Sequence, residues 1–172
     1  MTTAPDAEQL YARLRELVKA GQGAGLAVAG IHSGGAWVAA RLAADLGLGE
    51  CGVINVAFHR DDYAKKGLHS KAAPTSIPFD VNGRRILLVD DVLQSGRTVR
   101  AAINELFDYG RPAAVELAVL ADRQEPGNRQ LPFAPTYAGA TLSLPPESVL
   151  ALSASGEGAN TKFAFTIEAR GA

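Results

Sequence analysis

The chain has 172 residues, 47% of them apolar and 20% charged, which fits one soluble globular domain with a continuous core and excludes a disordered chain. Its 17 Lys and Arg against 18 Asp and Glu leave a net charge of −1, so bulk charge points to neither a nucleic acid nor a membrane partner. The single Cys51 excludes an internal disulfide and agrees with a reduced, cytoplasmic setting. No apolar run approaches the roughly 18 residues of a membrane span, and MTTAPDAEQL lacks the basic and apolar regions of a signal peptide.

A first helix is expected from Asp6, which can cap it, because Ala7, Leu10, Tyr11, Leu14, Leu17 and Val18 recur at helical spacing up to Gly21. LAVAGI, 26–31, reads as a short buried strand and leads through His32-Ser33-Gly34-Gly35 into a second helix carrying Trp37, Val38, Arg41, Leu42 and Leu46, which stops at Gly47. GVINVAF, 52–58, reads as the next strand. Residues 60–76 are polar, with Gly67 and Pro74 as breakers, and read as a long loop with a strand edge at its far end. RRILLVDDV, 84–92, is a strand, and Val99, Ala102, Ile103, Leu106 and Phe107 mark a helix from Thr98 to Tyr109. AAVELAVLAD, 113–122, is a further strand. Residues 123–172 hold five prolines and short β-like runs such as SVLALSA and KFAFTIE, read as a small β-rich appendage. Strands alternating with helices predict an α/β fold with a mainly parallel twisted sheet flanked by helices.

The chemistry concentrates in ILLVDDVLQSGRT, 86–98. A buried strand ends in Asp90 and Asp91, and a glycine-containing turn opens the next helix. In open α/β sheets ligands bind outside the carboxyl ends of strands, so this junction is the default site. Ser95, Gly96, Arg97 and Thr98 combine backbone N–H groups, two hydroxyls and a cation at a helix N-terminus, which suits an anion. Two acidic acceptors just upstream suit a diol, so the segment as a whole suits a ribose 5-phosphate. Taken alone, an acidic pair is a turn initiator and a Gly-Arg-Thr turn is a cap; only the combination points to a ligand. A Walker B reading of the apolar run ending in Asp is weakened because no G-x-x-x-x-G-K-[ST] is present. The Gly21–Gly25 cluster precedes its strand, with the wrong spacing for a dinucleotide fingerprint. Single residues have plain readings: Trp37 as core or interface, His59 and His69 as solvated, Cys51 as a small apolar filler, and Lys65, Lys66 and Lys71 as a solvated loop face.

This constellation resembles the phosphoribosyl pyrophosphate (PRPP) motif of type I phosphoribosyltransferases. Residues 89–123, VDDVLQSGRTVRAAINELFDYGRPAAVELAVLADR, resemble the PyrR family, which joins regulation of pyrimidine genes to uracil phosphoribosyltransferase activity. Phe58-His59-Arg60-Asp61-Asp62, Ile77-Pro78-Phe79-Asp80 and Arg129-Gln130-Leu131-Pro132 extend the match over most of residues 26–142. The resemblance implies a single phosphoribosyltransferase domain over 1–172, with a small β-rich hood contributed mainly by 123–172. It implies a homodimer or homotetramer acting on uracil and PRPP, with Mg²⁺ as cofactor, and giving UMP and pyrophosphate. A pyrimidine leader RNA is a further implied partner, for which Arg13, Arg15, Lys19, Arg84 and Arg85 are the available basic residues. Carried over by position, Asp90 and Asp91 hold the ribose hydroxyls and touch the metal indirectly, the ion being held mainly by PRPP. Gln94, Ser95, Gly96, Arg97 and Thr98 hold the 5′-phosphate, and His32, Ser33, Gly34 and Gly35 match the pyrophosphate loop. Arg60 supplies cationic charge in catalysis, and Arg123 and Arg129 fall in the base-recognition hood. A neutral Gln94, where purine enzymes of this class carry an acid, points away from a purine acceptor. Alternative readings are an RNA-binding regulator with little turnover, or transfer to another base.

Overall fold

Asp6 starts the first helix as expected, accepting hydrogen bonds from the N–H groups of Glu8 (3.0 Å) and Gln9 (3.2 Å), and α1 runs over Ala7–Gly21. The computed structural model describes residues 2–56 and 74–171. Arg60, the Phe58–Asp62 match, His59, His69 and the three loop lysines lie outside the described residues.

After α1 the chain forms β1 (Ala27–Ile31), α2 (Gly34–Leu46), β2 (Cys51–Ile54), β3 (Arg85–Leu93), α3 (Arg97–Phe107), β4 (Ala114–Arg123) and β5 (Tyr137–Leu142). A hairpin of β6 (Ser148–Ser155) and β7 (Lys162–Ala169) follows. The five strands β2-β1-β3-β4-β5 form one sheet in that order, with every neighbouring pair parallel. Ser76 adds an antiparallel bridge to Val53 at the β2 edge, where the strand edge was expected.

The apolar runs are explained by burial on both faces of a parallel sheet. Along β3, Leu87 and Val89 face α1, α2 and the hairpin, whereas Ile86 and Leu88 face α3. Tyr11, Leu14, Val18, Val38, Leu42, Phe163 and Phe165 complete the first layer, and Val99, Ala102 and Leu106 the second. The hairpin is locked on by a polar cluster. Arg41 donates to Glu8 at 2.8 Å, its guanidinium lies 3.8 Å from the Tyr11 ring centre, and Glu8 also accepts the Phe163 N–H at 2.7 Å. Burial pushes the Glu8 carboxyl up, but the bonds from Arg41 and Phe163 outweigh it and hold it below its ordinary value.

Two readings change. Tyr137–Leu142 does not stand apart with the β-rich tail but is the fifth strand of the main sheet, because Thr136 and the β5 backbone find unpaired partners along β4. The part outside the sheet is the β6–β7 hairpin. Of the two readings of Trp37, core or interface, the core is removed, since 38% of its surface is exposed. Cys51 opens β2 and burial pushes its thiol up to about 11, consistent with a filler. No helix among the described residues is long and apolar enough to cross a membrane.

Candidate active site

The chain leaves β1 through α2 to reach β2 on one side, and leaves β3 through α3 to reach β4 on the other. The carboxyl ends of β1 and β3 therefore flank a crevice that neither of these two connections crosses. Asp90 and Asp91 stand at that end of β3. Strand alternation sends Asp91 to the α2 side, in phase with Val89, and Asp90 to the α3 side, in phase with Leu88. Asp90 is 6% exposed and accepts the Asp91 N–H at 2.9 Å; Asp91 accepts the Val92 N–H at 2.8 Å. These local bonds fix the rotation of both carboxylates.

On the α2 side, the 32–35 loop closes directly against the acid pair. A Cβ on Gly34 would lie 2.4 Å from Asp91 Oδ2, and one on Gly35 would lie 2.4 Å from the Val89 carbonyl oxygen. Two glycines are what this approach permits. The His32–Ser33 peptide is cis, and His32 donates its N–H to the Ile54 carbonyl at 2.8 Å.

On the α3 side, Ser95 Oγ accepts the Arg97 N–H at 3.2 Å, and Gly96 turns the chain into the helix with φ +91°. The turn is braced from behind by residues 128–133. Ser95 O accepts the N–H groups of Gln130 (3.0 Å) and Leu131 (3.1 Å), Gln94 O accepts Arg129 Nε (2.7 Å), and Gln94 donates to Asn128 (3.0 Å). Asp90, Gln94, Ser95, Gly96, Arg97 and Thr98, with Asn128, Gln130 and Arg170, line a cavity of about 440 Å³, a size suited to a small ligand. Replacing Gly96 by alanine should strain a left-handed residue whose Cβ would also meet the Phe133 ring at 3.0 Å. We expect a stability loss of about 1–3 kcal/mol, read by denaturant titration. A variant as stable as the parent would show that the turn does not require this geometry.

The structure thus brings Asp90 together with Gln94–Thr98 and Asp91 together with Gly34, while Gly35 lies against the Val89 and Asp90 backbone. His32 lines a separate cavity of about 580 Å³ with Trp37 and the hairpin turn. Arg123 and Arg129 do not line the 440 Å³ cavity. Arg123 is 1% exposed, paired with Glu125 at 2.7 Å and donating to Ser148 O at 2.9 Å. Arg129 is paired with Asp122 and bonded to the Phe133 carbonyl. Both guanidinium groups brace the segments around the site. Asn128, Gln130 and Arg170 were not singled out beforehand; Gln130 lay within a matching segment, and Arg170 carried no local signal.

Comparison with known proteins shows the family and the fold. The phosphoribosyl transferase domain model matches residues 5–131. The chain is 62% identical over 167 residues to the bifunctional protein PyrR of Ralstonia nicotianae, covering 95% of this chain and 94% of that one. It is 53% identical over 116 residues to the bifunctional protein PyrR of Pseudomonas aeruginosa, covering 67% and 66% of the two chains. Among solved structures, a purine phosphoribosyltransferase from Pyrococcus horikoshii aligns with a TM-score of 0.58 at 23% identity, covering 80% of this chain and 82% of that one. A hypoxanthine phosphoribosyl transferase from Trypanosoma cruzi aligns with a TM-score of 0.61 at 20% identity, covering 86% and 80%. At these identities the structural likenesses concern the fold.

Proposed function

This chain belongs to the PyrR family of phosphoribosyl transferases, and from that membership we propose that it transfers the phosphoribosyl group of PRPP to uracil, giving UMP and pyrophosphate. The observation that carries the reading is the pair of carboxylates at the end of β3, one on each side of the sheet, between a glycine loop and the Ser95–Thr98 turn at a helix N-terminus. The turn Ser95–Thr98, with Gln94, holds the 5′-phosphate through N–H groups and hydroxyls, and Asp90 and Asp91 hold the ribose hydroxyls. Ser33, Gly34 and Gly35 lie where the pyrophosphate leaves.

The C–O bond from the anomeric carbon to pyrophosphate breaks as uracil N1 forms its bond to the same carbon and gives up its proton to the departing pyrophosphate. The carbon carries oxocarbenium character in between. Two oriented carboxylates stabilise that positive charge, so the protein works by positioning and electrostatics and makes no covalent bond. Neutral Gln94 is held by Asn128 and offers no acid for a purine. Asp90 and Asp91 are oxygen donors of the kind Mg²⁺ takes beside substrate phosphates, so they fit an ion carried mainly by the PRPP oxygens; when bound, it neutralises charge on the leaving pyrophosphate. Arg60 is assigned to the same leaving group.

Regulation through a pyrimidine leader RNA is the second reading. Of the residues available to an RNA face, Arg15 pairs with Glu16 and Asp45, Arg85 with Glu116, and Arg84 with the Gly25 carbonyl. Those contacts favour enzyme first. Incubation with Mg-PRPP and a panel of uracil, orotate, hypoxanthine and guanine should release pyrophosphate with uracil only. Release with a purine or orotate, or with no base, would overturn the assignment.

A further inference from the structure

Arg170 has no task in the reading above. It follows the last residue of β7 and lines the same cavity as Ser95, Gly96 and Thr98. Its backbone is anchored: the Arg170 N–H donates to the Glu147 carbonyl at 2.7 Å, and Ala169 pairs with Ser148. That stretch is itself fixed to the end of β4, since Arg123 donates to Ser148 O and Glu125 accepts the Leu144 N–H at 2.7 Å. The buried Arg123–Glu125 pair thereby sets where Arg170 emerges. Among the described residues the Arg170 side chain makes no ion pair and no hydrogen bond, although Arg123, Arg129, Arg41 and Arg85 are all paired.

The cavity it borders has one carboxylate among its lining residues, Asp90, and is otherwise rich in donors from the Ser95–Thr98 turn. A planar guanidinium beside converging N–H and O–H donors matches the oxygens of a phosphate, which it can engage with two bonds. We propose that Arg170 is a binding residue for the 5′-phosphate of the sugar substrate, sharing that group with Ser95–Thr98. This rests on the phosphoribosyl reading of the site. Because the 5′-phosphate is common to PRPP and UMP, the contact serves substrate and product alike and contributes uniform binding.

The test is calorimetric titration with ribose 5-phosphate, which requires no base and no turnover. Arg170→Met should raise Kd about tenfold or more, the scale of one lost charged hydrogen-bond contact. Arg170→Lys, which keeps the charge without the fork, should fall between. Arg100→Met removes the same charge from an exposed position on α3 that does not line the cavity, and should change Kd by less than about twofold. Thermal melts of all four proteins check the fold. An unchanged Kd in Arg170→Met overturns the proposal, and so does an equal loss in Arg170→Met and Arg100→Met, which would reflect only the general field. Failure of the parent protein to bind ribose 5-phosphate would instead overturn the phosphoribosyl reading, and this inference with it.

Discussion

Asp91→Asn should lower uracil-dependent pyrophosphate release by about 10²–10³-fold, the scale of one lost preorganised electrostatic contact to a developing charge. The geometry makes the substitution clean. The amide oxygen of the new side chain can still accept the Val92 N–H that Asp91 accepts at 2.8 Å, and its volume still fits against Gly34. What is lost is the negative charge facing the ribose as positive charge builds on the anomeric carbon. Circular dichroism and the thermal midpoint should stay near the parent's, because the Asp91 carboxylate accepts a local backbone bond and leaves no buried cation behind when its charge is removed. Parent-like turnover in this variant would remove the carboxylate from the mechanism.

Arg123→Met should be the most destabilising single change near the site. Arg123 and Glu125 are 1% and 7% exposed, and removing the guanidinium leaves a buried carboxylate with its cation gone. Breaking such a pair costs about 3–5 kcal/mol, which for a domain of this size lowers the thermal midpoint by roughly 6–20 °C. The pH dependence has a definite sign. Burial pushes the Glu125 carboxyl up, but the Leu144 N–H, Arg123 and Asn128 outweigh it, so its folded value lies below the ordinary 4.5. Its contribution is complete above pH 4.5 and is lost as pH falls through the lower folded value. The gap between parent and variant should therefore be full at neutral pH and narrow in acid, as the unpaired carboxyl takes up a proton. A variant that melts within about 2 °C of the parent at neutral pH would show that the pair does not hold the tail.

How much was legible beforehand follows from how local each signal is. Asp6, the β3 run and the Gly96 turn are decided by neighbours a few residues away, and each appears where its pattern placed it. The contact of Gly34 with Asp91 was legible only through resemblance, since the two lie on different strand–helix units, far apart in the chain. Tyr137–Leu142 escaped because its six residues show no strong alternation; its place depends on the vacant edge of β4. Arg123 and Arg129 entered through the resemblance alone, and their partners were not legible for a related reason. An arginine in a polar, proline-containing stretch looks available for ligand, and only the fold reveals that Glu125 and Asp122 already hold these two.

The hairpin's attachment bears on how the molecule is made. The segment up to Leu142 holds all five strands of the main sheet, yet without the hairpin the apolar side of α1 and α2 lacks Phe163 and Phe165. Glu8 waits 155 positions for the Phe163 N–H. Contacts of that separation form late and slowly. A chain whose sheet forms before the hairpin docks therefore carries an uncovered greasy flank, the kind of surface chaperones hold.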